Sequence, residues 1–433
     1  MKRIITLILF LFCLSPLFAQ SAEKELAFYK QQAIKADEGL LKNTERKQLF
    51  SVLEWDLNSW LERNYALPSA PEAMILKAQI EYQANNYTAA YLTLLKYAYE
   101  FPSRQADKDL TAKIINEFPN KQQEVLKKSL VTKSLSPLAE DRLSLFLAQA
   151  NKLNLKNSQE YLLREYSLFF NRFPAYENND KVELLLGDLY RNNGNYSAAL
   201  GKYNKVLEIY PSTKYKAASV RMMGDIYASE LKNYNLAKEH YERVLAEFPN
   251  SVEIPTVYKH LAFLEAENKN YAAAVENAQK AYDEYLKDTQ KAEAYDALIF
   301  KAEVEEKDLK NYNSAVKTLR TAAEIMPLQE QYFVGAKQKE ANIQAKKLKD
   351  NYAERDVLEE IAVRFPNTED GVQALYRAAE LTEKFGDTEK AKGKYHQIIL
   401  NRPQSKTAVK AQKRITSIEK AAAKTAKAQA VLP

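Results

Sequence analysis

Three histidines, His240, His260 and His396, are the only imidazoles in the 433-residue sequence, and imidazole is the side chain best suited to proton transfer or metal ligation near neutral pH. They lie far apart, and none has a second His or a carboxylate set at metal-ligand spacing, whereas a structural or catalytic zinc needs three or four converging ligands. They read as surface or packing histidines. Acidic pairs such as Glu305-Glu306 and Glu359-Glu360 could do paired-carboxylate chemistry, but on helices this charged they read as solvated faces. Neither a G-x-x-x-x-G-K-S/T phosphate loop nor a G-x-S-x-G nucleophile elbow occurs in the sequence. The 28 tyrosines suggest an aromatic ligand site, yet many recur at fixed spacing, which points to packing. No catalytic group, cofactor or metal is expected.

The single cysteine, Cys13, lies in the opening stretch MKRIITLILFLFCLSPLFAQ. Lys2 and Arg3 precede an apolar run from Ile4 to Leu14, followed by Pro16 and the small Ala19, the pattern of a secretory signal peptide cleaved after Ala19. The run of about eleven residues is too short for a hydrocarbon core of ~30 Å, and bulky Phe12 is unlike the small residue that precedes a lipidated cysteine. The expected product is periplasmic or secreted, neither transmembrane nor lipidated, and without thiol chemistry. The formal charge of +6 is concentrated at the end of the chain, where residues 406–433 carry seven Lys or Arg against Glu419. Export makes nucleic acid a poor partner for this tail; a solvated helix or peripheral membrane contact are the two readings.

The elements that carry these residues are helices. Only 9 residues are Gly, 46% are hydrophobic and 28% charged, a balance that favours an all-α chain with a sizeable core. A frame recurs along it. Gly187, Tyr190, Ala199, Tyr203 and Pro211 match Gly224, Tyr227, Ala237, Tyr241 and Pro249. The same frame fits Ala78, Ala90, Leu94 and Pro102; Ala262, Ala274, Ala278 and Ala281; Ala302, Ala315, Leu319 and Pro327; and Ala379, Ala391, Tyr395 and Pro403. Prolines 174, 211, 249, 327, 366 and 403 are spaced by 37, 38, 78, 39 and 37 residues, so the doubled gap hides one copy ending near Leu286. Small residues would let two antiparallel helices approach within 8 to 10 Å, with Tyr203 and Tyr241 filling the space left. Six Asn-Tyr pairs, at Asn86, Asn195, Asn233, Asn270, Asn311 and Asn351, mark the turn inside each unit. Asn is expected to take the left-handed conformation that ends the first helix, with Gly386 in that place in the last unit. The proline stops the second helix.

This frame resembles the tetratricopeptide repeat, a helix-turn-helix unit of about 34 residues, and endings such as AEFPNS and VRFPNT are similar to those of its exported bacterial branch, which includes outer-membrane assembly lipoproteins and the periplasmic partner of the Tol-Pal system. The resemblance implies a right-handed solenoid of antiparallel helix pairs, each covering the next. The expected organisation is a signal peptide over 1–19, an N-terminal helical segment over 20–66 with Leu49, Val52, Leu53, Trp60 and Leu61 on one stripe, and a first unit plus irregular helical connection over 67–137. The repeat array follows over 138–405, then a basic capping helix and frayed tail over 406–433.

Carrying over the family's concave face, formed by first helices, gives a candidate groove of Leu184, Asp188, Arg191, Arg221, Asp225, Lys259 and Phe263. The expected function is a non-catalytic exported scaffold whose partners are envelope proteins or extended peptide segments, in outer-membrane or envelope assembly. The alternative is a helical accessory or enzyme acting on cell-wall glycan. The stretches outside the repeats, 21–66 and 103–137, are too short for a separate catalytic domain.

Overall fold

The computed structural model describes the backbone of residues 2–37, 41–131 and 135–429, and within these the side chains of 19–36, 41–131 and 135–424. The signal-peptide reading falls largely on side chains outside that set. Among the described residues there is no strand, and the chain divides into two units, 1–219 and 220–433.

The first unit holds α1 (Lys2–Asp37), α2 (Asn43–Asn64), α3 (Ala70–Gln83), α4 (Tyr87–Glu100), α5 (Lys108–Asn116), α6 (Asn120–Ser129), α7 (Ala139–Leu153), α8 (Gln159–Arg172), α9 (Asn179–Asn192) and α10 (Tyr196–Ile209). Helix α11 (Lys216–Asp225) begins in the first unit and ends in the second. The second unit continues with α12 (Tyr234–Glu247), α13 (Ile254–Glu267), α14 (Tyr271–Lys287), α15 (Lys291–Lys307), α16 (Tyr312–Ala323), α17 (Glu330–Ile343), α18 (Asn351–Arg364), α19 (Glu369–Lys384), α20 (Thr388–Asn401) and α21 (Lys406–Gln429).

Each repeat is a pair of these helices, and its small residues act as the sequence suggests. A Cβ built on Gly187 would lie 2.4 Å from Tyr203 Cε1, and one on Gly224 2.7 Å from Tyr241 Cε1. The two rings are therefore packed directly onto backbone, and both tyrosines are fully buried. The helix-ending prolines also act locally. Phe173, Phe248 and Phe365, each just before a proline, take ψ of 58°, 53° and 57°, because the proline ring bars its predecessor from the helical region.

The Asn-Tyr turns depart from expectation. The left-handed residue is the one before the Asn: Asn85 at φ 63°, Gly194 at 77°, Lys232 at 51°, Lys269 at 64° and Lys310 at 55°. The Asn instead caps the second helix. Asn86, Asn195, Asn233 and Asn311 accept from the backbone N–H three residues on, at 3.4, 3.2, 3.1 and 3.2 Å. In the last unit Gly386 is left-handed at φ 89° and Asp387 is the cap. A first-turn N–H otherwise lacks a partner, so an N-cap side chain gains more from this position than from the left-handed one.

Small residues within a unit lie twelve or thirteen apart, and the structure shows where the extra residue goes. In twelve-residue units the turn Asn N–H bonds five residues back, Asn86 to Glu81, Asn195 to Tyr190 and Asn270 to Glu265. In thirteen-residue units it bonds six back, Asn233 to Tyr227 and Asn311 to Glu305. After α11 the widening forms a π turn over Ile226–Glu230, the usual way a helix absorbs one inserted residue.

In the N-terminal segment the buried stripe of α2 is Phe50, Leu53, Leu57 and Trp60, and Trp60 Nε1 donates to Ala22 O at 2.9 Å. Val52, expected on the stripe, is 55% exposed, since three-four-three spacing from Phe50 leaves it off the buried face. Residues 103–137 carry the two short helices α5 and α6, with Pro119 at the N-cap of α6. Ala408, Ala411, Ile415 and Ile418 of α21 are buried against α19 and α20. Its backbone stays helical to Gln429, past the point where fraying was expected, in keeping with the high helix propensity of Ala and Lys.

Candidate protein-interaction site

The candidate groove residues fall in both units. In the first, α9 carries Leu184, Asp188 and Arg191. Leu184 is buried, and Asp188 accepts the Tyr203 hydroxyl at 2.6 Å. Arg191 is half-buried.

In the second unit Arg221 and Asp225 are brought together, as partners of each other. Arg221 donates to Asp225 and, at 2.6 Å, to Glu253. Asp225 also accepts the Tyr241 hydroxyl at 2.8 Å, and His260 Nδ1 lies 2.7 Å from the same oxygen. Burial pushes the Asp225 carboxyl up, but His260, Arg221 and Tyr241 together hold it below the usual carboxylate range. Burial likewise lowers Arg221, and Asp225 and Glu253 raise it by more. Leu184, Asp188, Arg221 and Asp225 are thus committed to packing between helices. On α13, Lys259 is half-buried and Phe263 is 44% exposed, its ring 4.2 Å from that of Phe300. The exposed part of the candidate surface lies here.

A sequence signal for these commitments exists. Asp follows the small residue where that residue is Gly and the later position is Tyr203 or Tyr241; it is absent after Ala78, Ala262 and Ala302, where that position is Leu94, Ala278 or Leu319, and after Ala379, where Tyr395 donates to Glu383 instead. A buried phenol needs an acceptor, and the Asp supplies it.

One expectation about chemistry changes. Glu305 is buried rather than solvated and accepts from Ser314 and Thr318, each at 2.7 Å. Glu359 and Glu360 pair with Lys394 at 2.8 Å and Lys337 at 2.6 Å. His240 Nδ1 lies 2.8 Å from Leu236 O. Among the described residues no group of His, Cys, Asp and Glu is placed to hold a metal ion, and no helix is long and apolar enough to cross a membrane.

One feature was not foreseen: a cavity of about 440 Å³ in the first unit, lined by α2, α3, α4 and α8. Lys77, 3% exposed, pairs with Glu81 at 3.0 Å and donates to Thr93 at 3.0 Å. Thr93 in turn donates to Glu81 at 2.6 Å and lies 3.1 Å from the Tyr161 hydroxyl. Lys96 pairs with Glu165 at 2.7 Å and Arg172 with Glu100 at 2.6 Å. Arg172 also stacks 3.7 Å over the Tyr65 ring. Burial pushes Glu81 above the usual range despite Lys77. For Glu165 burial is outweighed by Lys96 and Lys77, which hold it down.

The tetratricopeptide repeat profile matches residues 182–213, 221–251 and 373–405. These segments are tetratricopeptide repeats. Outside these segments too the described residues are helical, and the repeat is one that generally presents surfaces for protein partners. Among solved structures it is similar to PilF of Pseudomonas aeruginosa, at 19% identity over 55% of this chain and 98% of that one, with a TM-score of 0.33. It is also similar to the C-terminal part of a tetratricopeptide repeat-containing protein from Cytophaga hutchinsonii, at 14% identity over 62% and 98%, with a TM-score of 0.40. The apo form of RapI aligns at 13% identity over 92% and 98%, with a TM-score of 0.40. No curated protein sequence matches the chain significantly.

Proposed function

We propose that this protein is an exported, non-catalytic scaffold that holds protein partners in the bacterial cell envelope through the first helices of its repeats. The repeat itself carries the reading. Tetratricopeptide pairs use their buried residues on each other, as Tyr203 with Asp188 and Tyr241 with Asp225 do, and leave outer helix faces to bind. Export rests on the basic start, apolar run and Ala19 of the first twenty residues. In the second unit the docking surface centres on Lys259 and Phe263, where an exposed aromatic ring backed by half-buried Phe300 lies one helical turn from a cation and suits an extended segment or helix of a partner.

Photo-crosslinking groups placed at 259 and 263 in the native host, with exposed Asn204 as control, test this. Adducts with an exported protein at 259 and 263 and none at 204 are expected. Equal labelling at all three positions, or protein recovered in the cytoplasm with Met1 intact, overturns the proposal.

A further inference from the structure

The outward face of α21 carries positive charge without ion-pair partners among the described residues. Ala408, Ala411, Ile415 and Ile418 of this helix are buried against α19 and α20. At 3.6 residues per turn, Lys406, Lys410, Lys413, Lys420 and Lys424 fall within about 80° of one another on the opposite side, and all of them are exposed. The row runs for about 27 Å at 1.5 Å per residue. Glu419, the one acid in α21, falls beside the buried side instead. The acids that α19 brings to α21 are engaged. Glu369, which Lys406 reaches only through its field, pairs with Arg402 at 3.5 Å, and Glu383 accepts from Arg414 at 2.9 Å. No carboxylate lies within 4.0 Å of these lysines among the described residues. A helix face meant only for solvent usually mixes charge signs and pairs them at three- or four-residue spacing, whereas like charges at that spacing repel. An anionic partner relieves the repulsion.

What flanks the lysines selects the partner. Ile399, Pro403 and Val409 form an open hollow beside Gln412 and Lys413, and both Val409 and Leu400, at the end of α20, are exposed. A soluble polyanion gains nothing from this apolar surface, whereas a lipid headgroup layer offers anionic phosphates with hydrocarbon just beneath them. We propose that the outward face of α21 docks on an anionic lipid surface, its lysines on headgroup phosphates and Val409 at the apolar edge. The helix lies along that surface without sinking into it, because its own apolar stripe is spent on α19 and α20. The contact is separate from the protein-docking surface at Lys259 and Phe263.

Co-sedimentation of the purified full chain with vesicles tests the assignment, using equal parts of phosphatidylglycerol and phosphatidylcholine against phosphatidylcholine alone. The apolar run from Ile4 to Leu14, where retained, partitions into both vesicles, so the readout is the ratio of anionic to neutral affinity. At low salt the parent prefers the anionic vesicles about tenfold or more, and high salt removes the preference. Changing Lys410→Gln, Lys413→Gln and Lys420→Gln together lowers the ratio about a hundredfold, or to unity where the parent's preference is smaller, at about fivefold per lysine. The melting temperature stays unchanged, since no ion pair is lost. Removing the same charge from exposed lysines of other elements, by Lys291→Gln, Lys317→Gln and Lys346→Gln, alters the ratio by about twofold at most. Ser417→Glu, which sets a carboxylate among the lysines, lowers the ratio about fivefold and decides the matter if the triple variant melts lower. Equal affinity of the parent for both vesicles, a ratio kept by a folded triple variant or by Ser417→Glu, or an equal loss in the control triple each overturns the proposal. Binding to heparin without binding to anionic vesicles also overturns it, and gives the face to a soluble polyanion.

Discussion

Two pairs of repeats in this chain close the same gap between helices differently. In the units of Gly187 and Gly224 a tyrosine ring lies on bare backbone and its hydroxyl is received by the Asp that follows the Gly. In the units of Ala78 and Ala302 the plug is Leu94 or Leu319, and the polar partner is a buried Glu three residues after the Ala, Glu81 or Glu305, bonded to Thr93 or Thr318. Lys77 and Lys301 precede the Ala in both and face that Glu at 3.0 and 3.9 Å. Plug and acceptor change together, because a phenol and an aliphatic side chain place different polar demands on the opposing helix. The difference also bears on what each region can do. In the tyrosine type the buried hydroxyl is met by its Asp, whereas the Lys77 unit borders a cavity of about 440 Å³.

The sharpest way to break the comparison is to remove a plug. Tyr203→Ala should cost ~3–5 kcal/mol through lost burial and the cavity left behind, and hydrogen exchange should quicken over residues 180–210. Unchanged protection there would show that the ring does not hold the helix pair together. A smaller effect is expected from Gly187→Ala, whose added methyl meets the Tyr203 ring; overpacking of this kind costs ~1–3 kcal/mol. Adding Tyr203→Leu converts the site to the Ala-Leu pairing of Ala78 and Leu94. Chemical denaturation should then find the double variant less destabilised than the sum of the two singles, and strict additivity would mean that the two repeat types are not interchangeable solutions.

The smallest effect is in the pH dependence, where the two regions should respond with opposite sign. Asp225 is held below its unfolded value, so its contribution is present above the ordinary carboxylate range and is lost as pH falls through the depressed folded value. Glu81 is raised by burial, so its contribution is present below the ordinary range and is lost as pH rises through the raised value. Hydrogen exchange at neutral and mildly acid pH, on the parent, Asp225→Asn and Glu81→Gln, should show each variant flattening the pH response of its own neighbourhood only. Identical responses in both neighbourhoods would remove the electrostatic part of the comparison.

Much of this was legible in the amino-acid order. The all-α class, the unit length and the close contact of Gly187 with Tyr203 follow from residue types at fixed intervals, because helix periodicity and steric size are properties of short stretches. The turn was half legible: Asn-Tyr marked its place, while the choice between left-handed residue and helix cap depended on which N–H groups were left without partners. What only the tertiary structure decided is the fate of the charges. Analogy with the first helices of the repeat family assigns Asp188, Arg221 and Asp225 to a groove, and only the structure shows that each has a partner on another element, Tyr203, Glu253 and Tyr241. The cavity depends on α8 meeting α4, as Tyr161 meets Thr93 across 68 residues of chain. No local spacing records such a meeting, since it is set by how remote helices stack.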